Sequence, residues 1–278
     1  MVLNFFKWYR GVEPPTRTPF LFLHGLGGTG RIWRPIAAAL EEEAPCYAPD
    51  QRGHGLSRPI PESEAEHFHA LDYARDLLEF LDRESLPRVH LVGHSMGVRS
   101  ALALCHLAPD RVESLLAVDI GISSSWGGGI GEPLAGFISQ LPQSFPDRTR
   151  MREYLFSHCP DPAIAQYLSA VAQLRAGPPE AWEFPFDHEA LVRTIHQAHE
   201  APIGAWLRHA LANGIPCLFL RGERSKVWLK PDYESQKKEY AHPLLRFEEW
   251  EECGHGLPFE QRLRFNGALK AITGRDRQ

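Results

Sequence analysis

The chain is 278 residues long with a formal charge of -5, from 30 Lys and Arg against 35 Asp and Glu. That length accommodates one large domain, or a core domain interrupted by an insertion, with a substantial apolar interior. No run of basic side chains stands ready to neutralise phosphates or anionic headgroups, which argues against nucleic acid or a membrane surface as partner.

Met1 to Arg10 carries two aromatic pairs but no apolar stretch leading to a small-residue cleavage site, and no later segment approaches membrane-spanning length. A soluble, cytoplasmic protein is therefore expected. Cys46, Cys105, Cys159, Cys217 and Cys253 are odd in number, far apart and without a CxxC pair. Reduced thiols and no metal site fit that spacing.

Phe20 to Leu23 is a short apolar run of the kind expected for a strand buried on both faces. It leads into His24-Gly25-Leu26-Gly27-Gly28-Thr29-Gly30, where small residues leave the Leu26 N–H accessible to a substrate carbonyl. The same stretch matches G-x-G-x-x-G with Asp50 downstream, the dinucleotide-binding fingerprint, so an NAD(P)-dependent oxidoreductase is one competing reading. Next comes Asp50-Gln51-Arg52-Gly53-His54-Gly55-Leu56-Ser57. Asp50 and Arg52 are expected to brace this loop through a charge-assisted hydrogen bond rather than to take part in chemistry.

From His69 to Glu84 the pattern is helical, with Leu71, Ala74, Leu77, Leu78 and Leu81 on one face and Asp72, Arg75, Asp76 and Asp82 elsewhere. A second apolar run, Val89 to Val92, ends in Gly93-His94-Ser95-Met96-Gly97 and passes directly into a helix-compatible stretch, Val98 to Leu107. Strand, G-x-S-x-G and helix together form the context of a nucleophile elbow. Its turn is so sharp that the positions two before and two after the serine must lack a bulky side chain, and Ser95 is held exposed at the sheet's carboxyl edge.

Leu115 to Val118 reads as a further buried strand and ends on Asp119. The next convincing strand is Cys217 to Leu220. The intervening residues, 122–214, contain a hinge-like Trp126-Gly127-Gly128-Gly129 and helical patterns near Pro162 to Leu174 and Glu189 to Leu211. A structureless loop of that length is implausible, so a mainly helical cap is expected over 122–214, inserted in a core of residues 1–121 and 215–278. Strands alternating with helices make the class α/β, with a mostly parallel sheet.

Serine needs an adjacent base, and His255 lies late in the chain in Cys253-Gly254-His255-Gly256, just after the strand-like Leu244 to Trp250. Flanking glycines let that loop bend toward Ser95. An oxyanion hole would take one backbone N–H from Met96, after the nucleophile, and one from Leu26.

Taken in order, His24-Gly25, Asp50-Gln51-Arg52-Gly53-His54-Gly55-Leu56-Ser57, Gly93-His94-Ser95-Met96-Gly97 and Gly254-His255 resemble the motif series of α/β-hydrolase fold esterases. The resemblance spans nearly the whole chain apart from the cap. It implies an α/β-hydrolase core and a Ser-acid-His triad.

The acid departs from the usual pattern. In most of that family an aspartate follows the strand corresponding to Cys217 to Leu220, in a G-x-x-D turn; here the turn reads Gly222-Glu223-Arg224-Ser225, followed by Lys226. A serine cannot stabilise an imidazolium as a carboxylate does, and a lysine has the wrong sign. Two carboxylates are candidates: Asp119, at the end of the strand after the nucleophile helix, and Glu223, within the turn. Serine in the usual slot together with Val118-Asp119-Ile120 resembles a branch of small acyl esterases and thioesterases, which favours Asp119.

These residues predict a serine hydrolase of small-molecule acyl esters or thioesters that forms an acyl-enzyme. Ser95 is its nucleophile, His255 its general base and Asp119 the orienting acid, and no metal or organic cofactor is required. A non-catalytic receptor using the same pocket is the alternative from a different class. The elbow and His255 count against the oxidoreductase reading, which leaves both unexplained.

Overall fold

The computed structural model describes residues 1–12, 15, 17–58, 60–123, 129–175 and 177–273. In chain order the first elements are β1 (Phe5–Trp8), β2 (Phe20–Leu23), α1 (Arg34–Ala37) and β3 (Cys46–Pro49). Next come α2 (Ala70–Arg83), β4 (Val89–His94), α3 (Met96–Leu107) and β5 (Val112–Val118). The segment after β5 holds α4 (Gly131–Ser139), β6 (Ser144–Phe145), α5 (Arg148–His158), α6 (Pro162–Val171), β7 (Gln173–Arg175), β8 (Ala181–Glu183), α7 (His188–Gln197) and α8 (Ile203–Ala212). The chain then forms β9 (Cys217–Gly222), α9 (Lys230–Glu239), β10 (Leu245–Trp250), α10 (Leu257–Glu260) and α11 (Arg262–Ile272).

The main sheet is seven-stranded, in the order β1-β3-β2-β4-β5-β9-β10. Its pairs are parallel except β1 with β3, which are antiparallel. The short apolar runs form these strands because both faces of the sheet are covered and alternate side chains serve each face. Leu21, Leu23, Leu91, Leu115, Ala117 and Phe219 join the core cluster shared with α2, α3 and α8. Phe20, Phe22, Val92, Leu116, Val118 and Leu220 turn the other way, toward Trp33, Ile36, Phe265 and Leu269.

On α2 the buried face is rotated from the one the leucine pattern predicts. Tyr73, Ala74, Leu77, Phe80 and Leu81 are buried, Leu71 and Leu78 only half so, while Asp72 and Asp76 are buried. Both acids have partners that allow this. Asp72 accepts from the His69 N–H at 3.0 Å to close the helix's N-terminus, and Asp76 takes the Arg52 fork at 2.6 and 2.8 Å.

Between β5 and β9 the chain is helical with one addition that periodicity does not predict, a three-stranded antiparallel sheet in the order β6-β8-β7. Helix α6 stops at Val171 rather than Leu174 because Gln173–Arg175 pairs with β8. The pattern from Glu189 to Leu211 is two helices, broken around Pro202, whose ring supplies no N–H to continue a helical ladder. Helix α7 packs with α4 in an apolar cluster that also contains Met96 and Leu168. Helix α8 instead lies on α3, with Trp206, Leu207 and Ala210 in the cluster that covers the sheet. The Trp126-Gly127-Gly128 part of the hinge-like stretch lies outside the described residues.

Candidate active site

Ser95 stands between β4 and α3 with φ 53° and ψ -121°, a conformation that a residue with a Cβ adopts only at a cost of about 1–3 kcal/mol. The flanking glycines explain how the chain tolerates the turn. A Cβ on Gly93 would lie 2.7 Å from the Gly97 carbonyl oxygen, and one on Gly97 would lie 2.4 Å from that of Leu23. Backbone meets backbone at both positions, so neither neighbour can move aside.

Asp119 ends β5, fully buried and also at positive φ, 52°. The backbone ties it to its neighbours on both sides: the Ser95 N–H donates to the Val118 carbonyl at 2.9 Å and the Asp119 N–H to that of Leu220 at 2.8 Å. The Asp119 carboxylate therefore lies between the elbow and the end of β9. Its Oδ2 accepts from His255 Nδ1 at 2.7 Å and from Ser225 Oγ at 2.6 Å, and its Oδ1 accepts from the Gly222 N–H at 3.0 Å.

His255, after β10, is oriented on its ring by Asp119 and on its backbone by His94. His94 Nε2 donates to the His255 carbonyl at 2.8 Å, and the two rings lie 4.7 Å apart. Since His94 immediately precedes Ser95, the elbow itself anchors the loop that carries His255. Glu223 is not brought to this ring. Its side chain is exposed and its Oε2 accepts from the Glu252 N–H at 3.0 Å, bracing the neighbouring turn.

Met96 is the first residue of α3, where a backbone N–H has no intrahelical acceptor. Leu26 lies in a loop where the next two N–H groups are committed. The Gly28 N–H donates to the Gly25 carbonyl at 3.0 Å, and the Gly27 N–H to His54 Nε2 at 3.0 Å. Behind the loop, His24 Nε2 accepts from the Gln51 N–H at 3.0 Å while its Nδ1 donates to the Gly25 carbonyl at 2.8 Å. Burial lowers the His24 pKa to about 4 and those of His54 and His94 to about 3, so all three brace the site as neutral rings. The motifs give His54 and His94 no role in one dimension; their signal is only their place beside the loop and the serine.

One point about the Asp50 loop is corrected. Asp50 and Arg52 do not pair with each other. Asp50 accepts from the Gly30 N–H at 2.8 Å, the Leu56 N–H at 3.0 Å and Asn4 Nδ2 at 2.8 Å, while Arg52 pairs with Asp76. Each is held by charge-assisted hydrogen bonds of its own, Asp50 by the loop and Asn4, and Arg52 by helix α2. Asp50 is thus spent within the loop, which removes the acid that the dinucleotide fingerprint needs for a ribose. A Cβ on Gly30 would also lie 2.1 Å from the Ala48 carbonyl oxygen, so this glycine serves the approach of loop to strand.

Residues 18–188 match the family described as the α/β hydrolase fold. The chain belongs to that family. Its curated relatives include the putative carbamate hydrolase RutD of Variovorax paradoxus, 40% identical over 100 residues, or 36% of each chain. The esterase YbfF of Escherichia coli is 34% identical over 103 residues, covering 37% of this chain and 39% of its own. With these two the match thus spans well under half of the relative's length. A longer match, to the sn-1-specific diacylglycerol lipase ABHD11 of Mus musculus, covers 92% of this chain and 81% of that protein at 27% identity. Among solved structures, a marine microorganism esterase superposes with a TM-score of 0.78 at 22% identity, covering 98% of this chain and 99% of its own. E-2-(acetamidomethylene)succinate hydrolase gives 0.79 at 22% identity, covering 97% and 94%. At such identities these structures speak to the fold. They share with this α/β-hydrolase a doubly covered, mostly parallel sheet. Among the described residues no helix is long and apolar enough to cross a membrane, and no cluster of His, Cys, Asp and Glu has the makings of a metal site.

Proposed function

We propose that this α/β-hydrolase is a serine hydrolase that cleaves carboxylic ester or thioester bonds of small acyl substrates through an acyl-enzyme. The observation that carries the reading is the 2.7 Å contact of His255 Nδ1 with the buried Asp119 carboxylate, beside the Ser95 elbow. Relatives named as esterase, lipase and carbamate hydrolase add support, since each name describes acyl cleavage.

With Nδ1–H donating to Asp119, the lone pair of His255 is on Nε2, where it can take the Ser95 Oγ proton. Oγ then bonds to the substrate carbonyl carbon, and the oxyanion forms against the N–H groups of Leu26 and Met96. As the tetrahedral intermediate collapses, the bond to the leaving oxygen or sulfur breaks and that atom receives the proton from Nε2. Water repeats the sequence on the acyl-enzyme and regenerates Ser95. In this reading the apolar cluster of α4, α5, α6, α7 and the small sheet forms a cap that shapes the acyl pocket, while α8 belongs with the core.

Labelling with a fluorophosphonate tests the proposal, because it requires an activated serine. A single adduct on Ser95, lost in His255→Ala, is the expected result. No adduct on the folded protein would leave the alternative, a binding protein on this scaffold.

A further inference from the structure

Helix α6 places one polar atom where the triad gives it no task. The hydroxyl oxygen of Tyr167 is buried and has no hydrogen-bond partner among the described residues. Buried hydroxyls are nearly always bonded, so an unsatisfied one calls for an explanation. Burial alone raises the phenol's pKa above its ordinary value, with no charged group contributing, so Tyr167 is a neutral donor.

The position of this hydroxyl is fixed by the glycine loop. A Cβ on Gly28 would lie 2.3 Å from the Tyr167 hydroxyl oxygen and 3.1 Å from the Gly25 carbonyl oxygen. Gly25, in turn, lies against the nucleophile, since a Cβ there would be 3.2 Å from the Ser95 Cβ. Around Gly27 the contacts are apolar, with Leu168 of the same helix and Phe186. Tyr167 shares one apolar cluster with Leu26 and Met96, the two residues whose N–H groups are assigned to the oxyanion. The phenol tip is thus, among the described residues, an unpartnered donor packed against the glycine loop beside Ser95.

We infer that Tyr167 determines substrate specificity by donating a hydrogen bond to an uncharged oxygen acceptor on the acyl portion of the substrate. This rests on the serine hydrolase reading above. The acyl side follows by elimination: of the groups on the tetrahedral carbon the oxyanion is assigned to backbone N–H groups and the leaving group departs toward His255, which leaves the acyl portion for a side-chain donor at the glycine loop. An ether, ketone or amide oxygen suits a neutral donor in apolar surroundings. A carboxylate would be desolvated there without a cation to pair with it.

The test compares wild type with Tyr167→Phe, which keeps the ring and removes only the hydroxyl. The substrates are p-nitrophenyl methoxyacetate, 3-methoxypropanoate and 4-oxopentanoate, beside the alkyl butanoate, pentanoate and 4-methylpentanoate of matching size. We expect kcat/KM to fall about tenfold in the variant for at least one oxygenated ester and less than about twofold for the alkyl esters. The melting temperature should hold or rise, since no protein hydrogen bond is lost. An equal loss across both sets would mean a packing role and overturns the inference, as does no loss for any oxygenated ester while Ser95-dependent cleavage of alkyl esters persists. Should wild type cleave none of the esters, the inference falls together with the hydrolase reading.

Discussion

Replacing Asp119 by asparagine asks three donors to share one oxygen. In the native site the Gly222 N–H addresses Oδ1, and His255 Nδ1 and Ser225 Oγ address Oδ2. An asparagine amide must turn its NH2 toward one side or the other. Facing Gly222 it would confront a backbone N–H that cannot reverse, at a cost of about 1–3 kcal/mol for an unsatisfied buried donor. On the other side neither partner is backbone: the Ser225 hydroxyl can turn its proton away, and the imidazole moves its proton from Nδ1 to Nε2. The amide should therefore present NH2 to His255 and fix the tautomer in which Nε2 already carries a proton and cannot accept one from Ser95.

The matching change in a serine protease triad costs about 10⁴ in kcat, which is roughly 5.5 kcal/mol of barrier. We expect Asp119→Asn to fall by that order in steady-state hydrolysis of a p-nitrophenyl ester. The fold should persist, because asparagine tolerates the positive φ of 52° at this position. Glu223→Gln should change kcat less than about threefold, since its carboxylate serves an exposed turn whose N–H the amide oxygen can also satisfy. A kcat for Asp119→Asn within tenfold of wild type, or a larger loss for Glu223→Gln, would refute the assignment.

Ser95→Ala should lower kcat by about 10⁶ if the triad acts as a unit, with an unchanged melting curve because alanine fits the strained turn no worse than serine; retained turnover would remove the nucleophile. In Gly97→Ala the added methyl would meet the backbone of Leu23 and His24 at 2.4 to 2.9 Å, so urea unfolding should report a loss of about 2 kcal/mol or more, and an unchanged midpoint would contradict the steric account. The buried histidines set an acid limit. His24, His54 and His94 have folded pKa values of about 4, 3 and 3 against 6.5 when unfolded. Below pH 6.5 the unfolded chain takes up protons that the folded one refuses, so stability is lost as pH falls from 6.5 toward 4, by about 3 kcal/mol between pH 6 and pH 5 for the three together. Denaturation curves that coincide at pH 7 and pH 5 would rule this out.

The strands that the sequence predicts are those whose burial is written in continuous apolar residues, and β2 coincides with Phe20–Leu23 at both ends. Strand β3 escapes such a reading because Cys46–Pro49 mixes a cysteine, a tyrosine and an alanine with a proline. It is a strand because β2 and β1 pair with it on either side and the sheet buries it. The strands of the small sheet are two or three residues long, too short for any period to register, and Gln173–Arg175 is exposed throughout. Tertiary pairing creates these elements, and local composition carries little trace of it.

At the site, legibility follows how tightly each role constrains a single position. The elbow needs glycine at Gly93 and Gly97 because backbone atoms occupy the space of a side chain, so its motif is visible in one dimension. In the proposed triad the acid is constrained only to reach His255 Nδ1, and two strand ends satisfy that in space. Asp119 and Ser225 lie in hydrogen-bond contact, 2.6 Å apart, although one follows β5 and the other β9. A carboxylate from either place can reach the same ring, and carboxylates in both would set like charges against each other. With Asp119 holding the charge, the residue after β9 is best a donor. Serine meets that need where a second acid would not: its hydroxyl spends its proton on Oδ2 and accepts the N–H groups of Val227 and Trp228 at 3.2 and 3.3 Å. In the proposed triad the departure from G-x-x-D is thus a consequence of where the acid sits, and the serine in that turn and the aspartate after β5 are two halves of one electrostatic arrangement.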